Sequence, residues 1–452
     1  MKTLYLFGFG LWLFILGRAA LPYGAIPDFS SGEPAEIHPG IQDARHTILH
    51  HPQATDPAAA SRSSQPPDTL ARGDTSAFRI AFYNMENFFD CWHDSAKNDH
   101  DFTPSGIKGW GHAKYANKRN RLFKVIAALD AECPLAATGL AEVENARVLR
   151  ELCRGTPLRY KGFDFVHFES PDPRGIDVAL LYRKDLLRID TAYPIALVIP
   201  PDSVARTRDI LYVRAILIAG NIQTRNPPLA NPSLAYPAKE DLSAQQACMA
   251  KERPELQQDE NLFLETNPTH PRGNISPRKI TLHLFVCHFP SKYGGVLETN
   301  HKRVAAARLL RRHMDSLYSK DSTAFILAMG DLNTTAEDSV LAPLRSPPYQ
   351  NLMESPAWQA RFARHAIGSH KFREEWSTID HIILNRHVLP WIKGGGAFVF
   401  ARSFLLQTDE RYMGIKPFRT FYGAKHLGGY SDHLPVYIDL HLLNRTSTKA
   451  QK

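Results

Sequence analysis

Polar and apolar positions are distributed unevenly along this chain. Lys2 precedes an apolar run from Leu4 to Leu16, which closes on Gly17-Arg18-Ala19-Ala20. A positive start, about a dozen apolar residues and then small residues are the form of a cleavable export signal. The run falls short of the ~20 apolar residues that a membrane span needs. Residues 1–20 are therefore expected to be removed, leaving a periplasmic or extracellular chain without stable membrane insertion. Residues 21–76 are rich in Pro, Ala, Ser, Asp and His and show no sustained period, as in a flexible leader.

Periodic structure is expected from Phe78-Arg79-Ile80-Ala81-Phe82-Tyr83, a strand-like run. Leu122, Val125, Ile126 and Leu129 recur at helical spacing and predict a helix over 117–130, stopped by Pro134. An apolar run to Leu140 then reads as a buried strand. Further strands are expected at 163–168, 176–182, 210–219, 280–288, 323–329, 378–384 and 434–442, and helices at 300–317 and 335–344. Pro, Asn, Gln and mixed charges dominate 221–279, which reads as a surface insertion between adjacent strands. The economical organisation is one catalytic domain over about 77–444, with a tail at 445–452. Many strands with few helices between them suit an α/β fold with a two-sheet core and helices outside.

Composition adds little to this picture: 43% of residues are hydrophobic, 22% are charged, and the formal net charge is +8. That excess suits a polyanionic partner without requiring one. Basic residues cluster at 108–124, with Trp110 and Tyr115 among them, and again at 301–313; both read as solvated helix faces. Five cysteines, at 91, 133, 153, 248 and 287, leave at least one unpaired. They form no Cys-x-x-Cys cluster of the kind that holds structural zinc.

The chemistry is concentrated where apolar runs end in polar residues. Five such segments are Tyr83-Asn84-Met85-Glu86-Asn87, Gly139-Leu140-Ala141-Glu142-Val143-Glu144-Asn145, Met329-Gly330-Asp331-Leu332-Asn333, Thr378-Ile379-Asp380-His381 and Gly429-Tyr430-Ser431-Asp432-His433. A sixth, Val286-Cys287-His288-Phe289-Pro290-Ser291-Lys292, places a His and a Lys past another strand. Each alone could be a turn or a cap. Together they supply carboxylates for a hard cation and imidazoles for proton transfer, the inventory of metal-dependent phosphoester hydrolysis. No Walker-type glycine loop is present, which disfavours NTP-dependent transfer.

In this order the segments resemble the endonuclease/exonuclease/phosphatase superfamily, which includes deoxyribonuclease I and exonuclease III. Arg174-Gly175-Ile176-Asp177 and Arg419-Thr420-Phe421-Tyr422-Gly423 agree with its secreted bacterial members. The resemblance implies a deoxyribonuclease I-like four-layer fold, a two-sheet sandwich flanked by helices. It implies Asn84, Glu142 and Asp432 as metal residues, with Glu144 the competing glutamate. Asp331 and Asn333 would handle the attacking water and the phosphate. His433, oriented by Asp380, would be base or phosphate stabiliser, the division with Asp331 staying open. His288 would contact the phosphate or protonate the leaving oxygen, and Arg174, Asp177, Ser291 and Lys292 would bind substrate. The implied cofactor is Mg2+, with Mn2+ or Ca2+ as alternatives, and the implied partner is nucleic acid; no protein partner is implied.

Three functions follow. The first is a secreted nuclease. The second keeps the chemistry but acts on lipid or inositol phosphates, as a sphingomyelinase does. The third is a non-catalytic binding protein, weakened because no position in the set is visibly replaced. Leu229, Leu242, Leu262, Phe263 and Leu264 in the insertion form no long apolar hairpin, which favours nucleic acid over lipid.

Overall fold

The computed structural model describes residues 76–199, 207–218, 280–292, 295–365 and 367–442. The export signal, the leader, the insertion over 221–279, the tail and Cys248 lie outside the described residues.

Strands β1 (Ser76–Phe88), β2 (Leu135–Val143), β3 (Phe163–His167), β4 (Asp177–Arg183), β13 (Phe398–Val399) and β18 (Val436–Leu442) form one mixed sheet, ordered β13-β18-β1-β2-β4-β3. Strands β5 (Leu187–Ile195), β6 (Ile210–Leu217), β7 (Ile280–His288), β8 (Phe325–Asp331), β9 (Tyr349–Asn351) and β12 (Asp380–Asn385) form the second, ordered β5-β6-β7-β8-β12-β9. Three small hairpins, β10/β11 (His370–Phe372, Glu375–Ser377), β14/β15 (Leu406–Thr408, Ile415–Pro417) and β16/β17 (Phe421–Tyr422, Lys425–His426), decorate the rim.

Alternation along the strands assigns the layers. Phe78, Ile80 and Phe82 of β1 pack inward with Leu284 and Val286 of β7, Leu327 and Met329 of β8, and Ile438 and Leu440 of β18. The intervening Ala81 and Tyr83 face outward onto α1 (His112–Glu132) and α2 (Ala146–Arg154) through Leu122, Ile126, Leu129, Val148 and Leu152. Across the second sheet, Phe285, Ile326 and Ala328 cover Ala307, Leu310 and Met314 of α3 (Val296–Lys320). The expected four layers, helix–sheet–sheet–helix, are thus present.

One helix expectation needs correcting. A helix over 335–344 is replaced by a 3-10 turn, Ser339–Leu341, and a single turn α4, Ala342–Arg345. Pro343 has no N–H to continue a longer helix, and Asp338 caps Val340 N at 3.0 Å. The α2 helix is an addition, started where Asn145 Oδ1 accepts from Arg147 N and Val148 N. Strand β5 was missed too, because its burial is irregular.

The basic segments are solvated only in part: Lys124, His301, Arg308 and Arg312 are exposed, whereas other cations are held inside. Lys118 is 1% exposed, with Nζ bonded to Thr420 Oγ1 and Tyr430 O. Arg121 donates to Tyr430 Oη at 2.9 Å, and Trp110 is buried with Nε1 bonded to Phe89 O. In α3, Arg303 is buried and bonds Thr299 Oγ1 at 2.8 Å. These cations tie elements together. The four described cysteines are buried and free. Among the described residues no helix is long and apolar enough to cross a membrane.

Candidate active site

The strands deliver the motifs to one end of the sandwich. Pairing of β1 with β2 is regular to Asn84↔Ala141 and then shifts before Phe88↔Val143. At that irregularity Glu86, Asn87 and Glu142 take positive φ values of 50°, 55° and 59°, and Asn333 after β8 takes 53°. Left-handed backbone costs non-glycine residues of order 1–3 kcal/mol, and such strain gathers where side chains must be aimed. On the other sheet, a Cβ at Gly330 would lie 2.3 Å from Cys287 O, so only glycine lets β8 approach β7 just before Asp331. The parallel pairing His288↔Asp331 and antiparallel pairing Asp380↔Asp331 then bring three site residues side by side.

Asn84 links the two sheets. Its Nδ2 donates to Asp331 Oδ2 at 3.1 Å and to Glu142 Oε1 at 3.4 Å, while its Oδ1 accepts from Glu86 N at 2.9 Å. The amide therefore orients both carboxylates with its nitrogen. His288 Nε2 lies 3.6 Å from Asp331 Oδ2 and 4.0 Å from Glu142 Oε1, and His433 Nε2 lies 3.8 Å from Asp331 Oδ2. Asn333 N donates to Asp331 Oδ1 at 2.9 Å, and Asn333 Nδ2 to Phe289 O at 3.0 Å.

Electrostatics separate the two histidines. Burial by itself would lower the pKa of His433. Asp380, whose Oδ2 is 2.8 Å from His433 Nδ1, overrides that together with Asp331 and Asp432 and holds the ring well above its ordinary value. His288 goes the other way: burial, then Arg208 and Arg174, hold it well below the ordinary imidazole range. It is neutral near pH 7, so it can donate a hydrogen bond there but supplies no imidazolium proton. Burial also pushes the Asp331 carboxyl up to about 7, against the pull of His433.

Glu144 turns away from this cluster. Its Oε2 accepts from Asp90 N, and burial pushes its carboxyl up to about 8 from 4.5. A folded-state value above the unfolded one favours the protonated form in the fold. The stabilisation is complete below about pH 4.5 and is lost as pH rises towards about 8. Glu144→Gln keeps an acceptor and removes the charge. Its Tm should therefore gain on the wild type between about pH 5 and about pH 8. A Tm difference that stays flat across that range would show that Glu144 is not held neutral by the fold.

The remaining expected residues are placed as follows. Asp432 Oδ2 accepts from Arg419 Nη2 at 2.9 Å, and its carboxyl is held at about 2: burial opposes this, but Arg419, His433 and His370 prevail. Asp177 is not brought to the cluster; it accepts from Ser170 N at 2.9 Å and sits 3.1 Å from His167 Nε2. Arg174 is half-exposed beside Asp172, and Lys292 is exposed; Ser291 O accepts from Arg303.

Several functional neighbours escaped the sequence. Buried Arg208 donates to Asp172 Oδ2 at 2.9 Å and to Phe289 O at 2.8 Å, the carbonyl that Asn333 also holds. His370 is paired through the backbone with His433, and their rings are 4.9 Å apart. Neither residue carries a sequence signal beyond its identity.

The donor chemistry fits a hard divalent cation at Glu142. Its carboxylate is 16% exposed and oxygen-only; among the described residues no Lys or Arg hydrogen-bonds it, and Arg419, Arg208 and Lys118 act on it only at longer range. Asp331, Asp380 and His433 also offer ligand atoms within 4.8 Å of one another, but Asp380 and His433 engage each other.

Carboxylates, imidazoles and an oxygen-donor position gathered at one end of a two-sheet sandwich are chemistry that suits phosphoester hydrolysis. The pattern of the endonuclease/exonuclease/phosphatase family matches residues 79–224 and 253–442, and the chain belongs to that family. Its members are hydrolytic phosphoesterases that generally use divalent metal ions. No curated protein matches the chain in sequence. Among solved structures, the chain is similar to an endonuclease/exonuclease/phosphatase family protein from Bacteroides thetaiotaomicron, with TM-score 0.45, 13% identity, 82% of this chain and 100% of that one covered. It is also similar to mannosyl-6-phosphatase from the same organism, with TM-score 0.44, 13% identity and coverage of 80% and 99%. The human nocturnin catalytic domain follows with TM-score 0.40, 12% identity and coverage of 81% and 96%.

Proposed function

We propose that this chain hydrolyses phosphodiester bonds in nucleic acid. The observation that carries the reading is the convergence of Asn84, Glu142, Asp331, His288 and His433 from both sheets, at separations of 3.1–4.0 Å. As the water oxygen bonds to phosphorus and the P–O bond to the leaving oxygen breaks, Asp331 takes the water proton. The leaving oxygen is protonated from solvent, and Asp331 later returns its proton to solvent; Asn333 N holds Asp331 in place. The His433 imidazolium, steadied by Asp380, faces the charge that develops on the phosphate oxygens. Neutral His288 donates to the phosphate. Glu142 would hold a divalent ion, which when bound would supply Lewis-acid neutralisation of that same charge.

The substrate class is supported by the rim. Trp92, Phe168, Phe372 and Tyr422 are 46%, 38%, 66% and 59% exposed. Trp92 follows β1, Phe168 follows β3, and Phe372 ends the strand that His370 begins. Exposed rings on which bases can stack suit a polynucleotide. The net charge of +8 agrees with this.

The test is incubation of purified protein with single- and double-stranded DNA, RNA, sphingomyelin and inositol phosphates, each with Mg2+ or EDTA. Cleavage of a polynucleotide only in Mg2+ is expected. Turnover confined to sphingomyelin or inositol phosphates would replace the substrate reading, and inertness on all of them would favour a binding protein.

A further inference from the structure

Three carboxylates near the metal position differ in what holds them. Glu86 is 4% exposed and takes three donors: Thr420 N at 2.6 Å on Oε2, and Arg419 Nε at 3.2 Å and Phe421 N at 3.3 Å on Oε1. The same guanidinium reaches Asp432 Oδ2 with Nη2 at 2.9 Å, so Arg419 spans both acids. Behind them, Lys118 Nζ bonds Thr420 Oγ1 and Tyr430 O at 2.5 Å each, fixing the loops that carry Arg419 and Asp432. Two fixed positive charges thus stand at Glu86 and Asp432.

Among the described residues no guanidinium or ammonium hydrogen-bonds Glu142, although Arg419, Arg208 and Lys118 act on it at longer range. Its contacts are Asn87 N at 2.8 Å, the Asn84 amide at 3.4 Å and the His288 ring at 4.0 Å. A carboxylate without a fixed cation attracts a metal ion, whereas one already spanned by a guanidinium must first lose it. A guanidinium beside the position also repels a second ion.

We propose that Arg419 is a built-in cation that occupies Glu86 and Asp432 and thereby limits the centre to one divalent ion, at Glu142. Arg419 is then a positioning residue, acting through the two acids it holds. The inference rests on the metal-using phosphoesterase reading and is independent of whether nucleic acid is the substrate.

The test counts Mn2+ bound per full-length chain, by electron paramagnetic resonance of free Mn2+ and by calorimetry. Wild type should bind one ion. Arg419→Met should bind a second, weaker ion, and Arg419→Lys should remain at one. Asp432→Asn should keep close to the wild-type affinity for the first ion, whereas Glu142→Gln should weaken it about 10-fold or more. Two ions on the wild type, or an equal loss in Asp432→Asn and Glu142→Gln, would overturn the proposal. Should Arg419→Met fail to fold, as its melting curve would show, the comparison of Asp432→Asn with Glu142→Gln decides alone. No bound Mn2+ on folded wild type removes the metal reading and this proposal together. One bound Mn2+ without polynucleotide cleavage sinks only the substrate.

Discussion

In His433→Ala, kcat measured per folded molecule is expected to fall about 10²–10³-fold, the usual contribution of a group placed against charge that develops in the transition state. The geometry adds a second expectation. Asp380 is 1% exposed, its Oδ2 is bonded to His433 Nδ1, and its Oδ1 has no partner among the described residues. Removing the ring therefore orphans a buried charge, which costs about 3–5 kcal/mol. The His433→Ala protein should melt well below wild type as well as turn over slowly. Asp380→Asn alone should lower kcat by a similar or smaller factor, because it mis-sets the ring without removing it. The double variant separates the effects: it lacks the orphaned charge, so Tm should recover while kcat stays where His433→Ala left it. Recovery of both together would mean that the pair only holds the strand ends, and full kcat in folded His433→Ala would end the catalytic assignment.

The second large effect is metal removal. With oxygen donors at the cation position, EDTA should abolish turnover and Mg2+ or Mn2+ should restore it. Glu142→Gln should raise the metal concentration needed for half-maximal activity by about 10–100-fold or more. Glu144→Gln should leave that concentration unchanged, since its carboxylate is turned to Asp90. The reverse ranking of the two glutamines would place the ion at the wrong carboxylate. Full activity in EDTA would remove the metal from the mechanism altogether.

Much of this site was legible in the sequence because its residues sit where apolar strands stop. Asn84, Glu142, Asp331 and His288 each lie at or near the end of a run whose period marks a buried strand, and those runs kept their places in the structure. What could not be read is pairing across great sequence distance. The bond between Glu86 and Arg419 joins positions 333 residues apart, and no local period announces it. Lys118 shows the same limit from the other side: on a helix among basic residues it reads as solvated. Its Nζ is buried because Thr420 and Tyr430, from the far end of the chain, close over it. The left-handed backbone of Glu142 is likewise a product of the β1–β2 irregularity and not of any residue preference.

The pairing of β1 with β18, from Ser76↔Leu442 to Phe82↔Val436, ties the first described strand to the last. His433 lies three residues before β18, and Ser431 Oγ bonds Asn84 O at 2.8 Å. A ribosome makes this chain from the N-terminal end, so the carboxylates of β1, β2 and β8 all emerge before their imidazole does. Contacts of such long range form late. On the proposed mechanism the site is therefore complete only once the strand that follows His433 has paired with β1.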